Sequence, residues 1–184
     1  METVISAKDT GLSTLFPRIS PDGRWLLVCM CNYSSLPMFQ PSSDLYMIDL
    51  EVARRTGKYE YRWVEANSDQ SESWHCWSSN SRWIAFSSKR RDGVFTRLHI
   101  SYVDQNGKTY KPIVMPQKDP TFYDSCLKTY SVPELVVGPV QVTGERLARV
   151  IRSSRKIPVD MPITMATPKA GAAPGYEEPW EERE

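Results

Sequence analysis

With only two histidines in 184 residues, the chain has little imidazole chemistry available. Neither His75 nor His99 belongs to a His-Glu-x-x-His motif, no Gly-x-Ser-x-Gly nucleophile elbow occurs, and no glycine-rich phosphate loop precedes a helix. The four cysteines lack the paired Cys-x-x-Cys or Cys/His spacing of a zinc site. Cys-x-x-Cys-His is also missing, which excludes a covalently attached c-type haem. No cofactor and no metal are therefore expected. Charge of one sign is lacking as well: 23 Lys and Arg stand against 22 Asp and Glu, a net +1. That balance gives no field to select nucleic acid or an anionic membrane. No apolar run approaches the roughly 18 to 20 residues of a membrane-spanning helix. The longest, residues 25–31, has the length of a strand. The N-terminus has no basic start followed by an apolar segment, so it reads as lacking a secretory signal, and with Met1 as the true start the chain is cytoplasmic.

What is present is aromatic and strand-forming. Six Trp and nine Tyr against five Phe, with 40% hydrophobic residues, suit half-buried sheet surfaces rather than a leucine-rich bundle. Cys29 and Cys31 lie two apart in a strand-like run, share a face, and read as small buried hydrophobes.

The informative step is a search for internal repeats. Residues 16–28 return as residues 74–86, with Ser20, Arg24 and Trp25 answered at an offset of 58 by Ser78, Arg82 and Trp83. Downstream, residues 44–49 are matched to residues 99–104 at an offset of 55, which places a three-residue insertion in the first copy within residues 32–43. Each copy reads as four strands: 16–20, 24–31, 44–50 and 59–64, then 73–78, 82–88, 96–103 and 110–115. Turns fall at Pro21-Asp22-Gly23, at Ser79-Asn80-Ser81 and at Asn106-Gly107. Four antiparallel strands repeating every 50 to 60 residues make the unit of a β-propeller blade.

The string Ser20-Pro21-Asp22-Gly23-Arg24-Trp25, followed by Asp44-Leu45-Tyr46-Met47-Ile48-Asp49, resembles the TolB-type, WD-like β-propeller repeat. The second copy keeps Ser78, Arg82 and Trp83 but has Ser79, Asn80 and Ser81 where the family has Pro, Asp and Gly. The resemblance covers residues 16–115, and residues 116–124 and 132–135 are similar to the last part of large bacterial proteins that carry such repeats. It implies an all-β fold: two four-stranded antiparallel blades of a partial propeller, with an irregular, partly helical C-terminal extension. It also implies export to the periplasm or beyond, and a non-catalytic binding or scaffold role toward a protein partner or the remaining blades. The alternative it carries is an accessory domain of an exported hydrolase, a peptidase, whose catalytic domain lies outside this chain.

The expected organisation is a strand of a preceding blade in residues 1–15, blade one in 16–66 and blade two in 67–118. An extension with short helices follows in 119–156, and an acidic, disordered tail in 157–184. Within the extension, residues 119–130 suggest a short helix with Phe122, Tyr123 and Leu127 on one side. Residues 143–154 suggest a second, capped by Thr143, with a Leu147/Val150/Ile151 stripe and a basic side of Arg146, Arg149, Arg152 and Arg155. Two blades cannot close a ring, so two uncovered sheet faces and either self-association or marginal stability are expected, the extension covering one face at most.

No residue presents itself as catalytic. Weak binding candidates are His75 and Trp74, on an innermost strand facing a channel, with Arg18, Arg90 and Arg91. For His75 a hydrogen bond within the blade competes with a channel ligand. For Arg90 and Arg91 a solvated loop tip competes with a carboxylate or phosphate clamp. Trp25 and Trp83 occupy equivalent strand positions and are expected to pack the repeat cores.

Overall fold

The computed structural model describes residues 3–33 and 35–153. In chain order the elements are α1 (Ala7–Thr10), β1 (Ser13–Ile19), β2 (Trp25–Cys31), β3 (Asp44–Asp49), α2 (Leu50–Thr56), β4 (Tyr61–Trp63), β5 (Glu72–Trp77), β6 (Trp83–Ser88), β7 (Arg97–Tyr102), β8 (Ile113–Val114), α3 (Phe122–Ser125) and α4 (Gly144–Arg152). They form two antiparallel four-stranded sheets, β1-β2-β3-β4 and β5-β6-β7-β8, each in up-and-down order. This is the strand order of a propeller blade, blade one followed by blade two. Residues 3–140 belong to one compact unit, and a second unit starts at Gln141.

The repeated turn explains why the motif needs its residues. In blade one Ser20 Oγ donates to Asp22 Oδ1 (2.6 Å), which accepts from Arg24 N (3.2 Å), while Trp25 N donates to Ser20 Oγ (2.9 Å). Blade two repeats the same three bonds with Ser78, Asn80, Arg82 and Trp83, at 2.6, 3.0 and 3.0 Å. Asn80 replaces Asp22 because only a side-chain oxygen two residues past the serine is required. Ser81 takes the left-handed conformation that Gly23 supplies in the first copy. Its hydroxyl accepts from Asp22 N (3.0 Å), tying one turn to the other.

One face of blade one, with Trp25, Leu27, Cys29, Leu45 and Met47, packs against Trp77, Ile84, Phe86 and Val103 of blade two. Val64 and Ala66 of the connector complete this core. The stacking is head to tail: odd positions of β2 meet even positions of β6.

Several expectations are corrected. Residues 3–6 are irregular and lead into α1 rather than forming a strand of a preceding blade. Val4 and Ile5, with Tyr59, instead pack on Leu26, Ile48 and Leu50, so the outer face of blade one is covered rather than open. A helix, α2, follows β3 and takes in Leu50, expected as the last residue of the third strand, together with residues 51–56, for which no element was expected. Asp49 ends β3 and accepts from Glu51 N and Val52 N (2.9 and 3.0 Å), which starts the helix, and Gly57 ends it in the left-handed conformation. The third strands correspond at an offset of 53 rather than 55, since Trp25 pairs with Asp49 and Trp83 with Tyr102. The loop after β2 is thus five residues longer than its counterpart, and it carries a 3-10 turn at Pro37–Phe39. The fourth strands are shorter than expected.

In the extension, Tyr123 of α3 is buried and Leu127 is exposed. In the second unit α4 is capped by Thr143, whose Oγ1 accepts from Arg146 N (3.3 Å), and Leu147, Val150 and Ile151 are exposed. Arg155 and the expected tail lie outside the described residues. No helix among the described residues is long and apolar enough to cross a membrane.

Candidate functional site

The innermost strands β1 and β5 each carry a bulge, between Leu15 and Arg18 and between Ser73 and His75. A bulge opposes two residues to one and re-aims the side chains around it. Phe16 and Trp74, in these bulges, have positive φ (53° and 38°), a conformation that side chains rarely adopt. Their rings meet at 5.9 Å. Beside them His75 turns across to blade one, where Nε2 lies 3.0 Å from the Leu27 carbonyl. A carbonyl only accepts, so Nε2 carries the proton and the ring is the neutral Nε2–H tautomer. Burial, reinforced by the charge of Arg18, pushes its pKa down to about 4. Trp77 adds a second bond between blades, its Nε1 donating to the Arg18 carbonyl (3.0 Å).

Three of the sequence candidates therefore converge: Arg18, Trp74 and His75 line one cleft of about 60 Å³ together with Phe16 and residues 132–134. Arg18 and Glu134 form an ion pair of 2.8 Å at its mouth. The cleft offers an imidazole already committed to a backbone carbonyl and a carboxylate already held by a guanidinium. His75 works as a rivet between the blades, which corrects the expectation of a bond inside one blade.

Arg90 and Arg91 lie elsewhere and do not join the cleft. Arg90 is a carboxylate clamp, but for the protein's own Glu72. Its Nη2 lies 2.9 Å from Glu72 Oε1 and 2.6 Å from the Ala66 carbonyl, and its Nε donates to Ser88 Oγ (2.9 Å). Glu72, 0% exposed, also accepts from Ser68 N, Ser68 Oγ and Ser88 Oγ (3.0, 2.6 and 2.7 Å). The solvated loop tip expected for Arg90 is thus corrected: the loop folds inward because the buried carboxylate needs a cation. Arg91 pairs with Asp124 at the surface.

No family model matches this chain, and no curated protein matches it. Among solved structures, it is similar to the β-propeller domain of the Trilobed protease from Pyrococcus furiosus, described as having an open velcro topology. The match has a TM-score of 0.36 at 17% identity and covers 57% of this chain but only 30% of that one. The assignment of blades rests on strand order and on the doubled turn.

Two residues that anchor the architecture carried no sequence signal. Glu72 is one. The other is Arg97, 1% exposed, which donates to the Cys126 carbonyl (2.6 Å) and to that of Lys128, fastening residues 126–128 to blade two. Tyr123 lies under its guanidinium, 5.5 Å away. Charged residues are almost never buried unless paired, so composition alone gives no reason to place either inside. Among the described residues no cluster of three or more His, Cys, Asp or Glu is placed to hold a metal. The buried Cys29 thiol is pushed up to about 12 by desolvation, away from the reactive thiolate.

The ionisable groups set opposing pH dependences. Burial brings both His75 and His99 down to about 4, so the unfolded chain takes up their protons first as pH falls below about 6.5. Their contribution is lost between about 6.5 and 4, on the order of 3 kcal/mol each. Asp44 runs the other way: burial, assisted by the charge of Glu72, raises its pKa to about 6 against a hydrogen bond from Trp63. Its contribution is present at low pH and lost as pH rises through about 6. Asp44→Asn is therefore expected to be more stable than the native chain at pH 7.5 and to lose stability more steeply between pH 6.5 and 4. Urea midpoints across that range check it, and an unchanged slope would contradict it.

Proposed function

We propose that this chain is a non-catalytic interaction module, a TolB-type propeller segment of an exported bacterial protein that presents one uncovered blade face to a protein partner. The observation that carries the reading is the unequal fate of two equivalent tryptophans. Trp25 is 2% exposed beneath blade two, whereas Trp83 is 40% exposed. Tyr102 and Tyr110 extend the open surface beside Trp83, with ring centroids 5.4 and 5.7 Å apart along the row. Aromatic rings with a polar edge are favoured at interfaces for their area and low entropy of fixation. In the candidate cleft, His75 Nε2 is spent on the Leu27 carbonyl of the other blade and Arg18 on Glu134, and the buried Nδ1 of His75 is the polar atom left without a partner among the described residues. The TolB-type assignment and the periplasmic location are supported by the turn motif Ser20-Pro21-Asp22-Gly23-Arg24-Trp25.

The purified chain is expected to show no turnover of fluorogenic peptide or ester substrates, and to bind a hydrophobic dye that Trp83→Ala weakens. Hydrolysis above the buffer rate by the chain would defeat the non-catalytic reading. An α/β-hydrolase domain in the same reading frame would favour the accessory-domain alternative.

A further inference from the structure

Among the described residues a third non-glycine position with positive φ continues the series of the two bulges. Phe16, Trp74 and Val132, each 58 residues from the last, have φ of 53°, 38° and 54°. Phe16 and Val132 are both followed by proline, Pro17 and Pro133. The backbone around Val132 docks as β5 does. Glu72 N donates to the Ser43 carbonyl (2.8 Å), just before β3, and Tyr130 N donates to the Thr96 carbonyl (3.0 Å), just before β7. Tyr130 lies 58 residues beyond Glu72, and Thr96 is the counterpart of Ser43 in the register of the third strands. The connectors agree: Val64 N donates to the Leu45 carbonyl (3.3 Å), and Met115 N to the Leu98 carbonyl (2.7 Å). By φ, hydrogen bonding and spacing, residues 130–136 hold the place of the inner strand of a third blade.

Among the described residues that strand has no paired neighbour. No strand pairing is assigned to residues 126–137. Residues 141–146, which lie 58 positions beyond β6 in the sequence, read Gln-Val-Thr-Gly-Glu-Arg and run into α4 rather than a strand. Beside residues 135–137 lies a groove of about 260 Å³ lined by Trp83, Ile100, Met115, Leu135, Val136 and Val137. Four of these, Trp83, Ile100, Met115 and Leu135, are the counterparts of Trp25, Met47, Val64 and Trp77. In the first interface those four share one buried cluster with Ile84, which β6 inserts opposite Trp77.

Resting on the reading of this chain as an interaction module, we propose that the groove is a docking site for an extended β-strand of another protein. The strand pairs antiparallel with residues 130–136 and places a branched apolar side chain among Trp83, Ile100, Met115 and Leu135. Main-chain hydrogen bonds to the open edge supply affinity, and the alternate side chains entering the groove supply selectivity. A second copy is a poor occupant: its apolar strands β2 and β6 are central in their sheets and already paired on both sides. Its blade one face is covered by Val4 and Ile5. The groove is lined mainly by apolar residues, so an uncharged apolar strand fits it.

The test titrates a fluorescein-labelled peptide of residues 83–88, Trp-Ile-Ala-Phe-Ser-Ser, which is β6 without its flanking charges, into the full chain and follows anisotropy. Saturable one-to-one binding is expected. Ile84→Asp in the peptide should weaken it about tenfold or more, the loss of one buried branched side chain. Methylation of alternate backbone amides in the peptide should do the same, and so should Leu135→Asp in the chain, with unfolding still cooperative. Absence of saturation up to about 1 mM, or equal binding of the N-methylated peptide, overturns the site. Concentration-dependent dimerisation that shields Trp83 in sedimentation and quenching experiments also overturns it, by making a second copy the occupant. A silent titration in a chain without hydrolytic activity rejects the strand site alone, whereas turnover rejects the module reading itself.

Discussion

Glu72→Ala is expected to cost about 3–5 kcal/mol, a large part of the stability of a domain this size. The carboxylate is fully buried where the first blade hands over to the second, and it gathers bonds from Ser68, Ser88 and Arg90. Its removal leaves the Arg90 guanidinium, 19% exposed, without its counter-charge, and strips partners from the serines around it. The pair need not itself be a net gain over a well-packed apolar pair. The large effect belongs to breaking it from one side. Arg90→Ala should be comparably severe, because it strands the buried carboxylate. Arg91→Ala provides the control: its pair with Asp124 is solvent-exposed, and less than about 1 kcal/mol is expected. Chemical denaturation of the three variants checks the ranking. A Glu72→Ala chain within 1 kcal/mol, roughly, of the native one would contradict the lock between the blades.

The two tryptophans should diverge almost as widely. Trp25→Ala is expected to cost about 3–5 kcal/mol, since the ring is buried in the inter-blade core. Trp83→Ala removes a ring that one side leaves in solvent, and about 1 kcal/mol or less is expected. The contact above Trp25 is tight enough to be tested from the other side. Gly107 holds φ 73°, and a Cβ there would stand 2.6 Å from two ring carbons of Trp25. Gly107→Ala should therefore destabilise by more than the backbone strain alone, and by less when Trp25 is already Leu. Thermal unfolding of the single and double variants measures that coupling. Equal losses at Trp25 and Trp83 would mean that the second blade is covered as fully as the first.

The turn at residues 20–25 was legible because it closes locally: Ser20, Asp22 and Trp25 satisfy one another within six residues, and the Ser78 turn copies them. The convergence of Arg18, Trp74 and His75 was legible only in part. Their place on inner strands followed from the repeat, but the Nε2 bond of His75 to Leu27 reaches across 48 residues into the other blade. Asp49 was read as a strand end, and its second role as a helix cap was missed because an alternating apolar pattern fits strand and short helix alike. The third inner strand escaped for another reason. Its signature is a backbone angle and two hydrogen bonds, and in sequence only the proline after Phe16 and after Val132 marks it.

The sequence by itself determined two antiparallel four-stranded blades, their order, the turns that open them and the equivalence of Trp25 with Trp83. These depend on hydrogen bonds and alternation over short stretches, where each residue carries its own preference. Tertiary structure alone decided which tryptophan is covered, that Arg90 turns inward to Glu72, and that Arg97 fastens residues 126–128 to blade two. Burial is a property of what arrives from elsewhere in the chain. Gly107 lies 82 residues beyond Trp25 and closes over it, whereas Trp83, its equivalent on β6, stays 40% exposed beside an apolar groove.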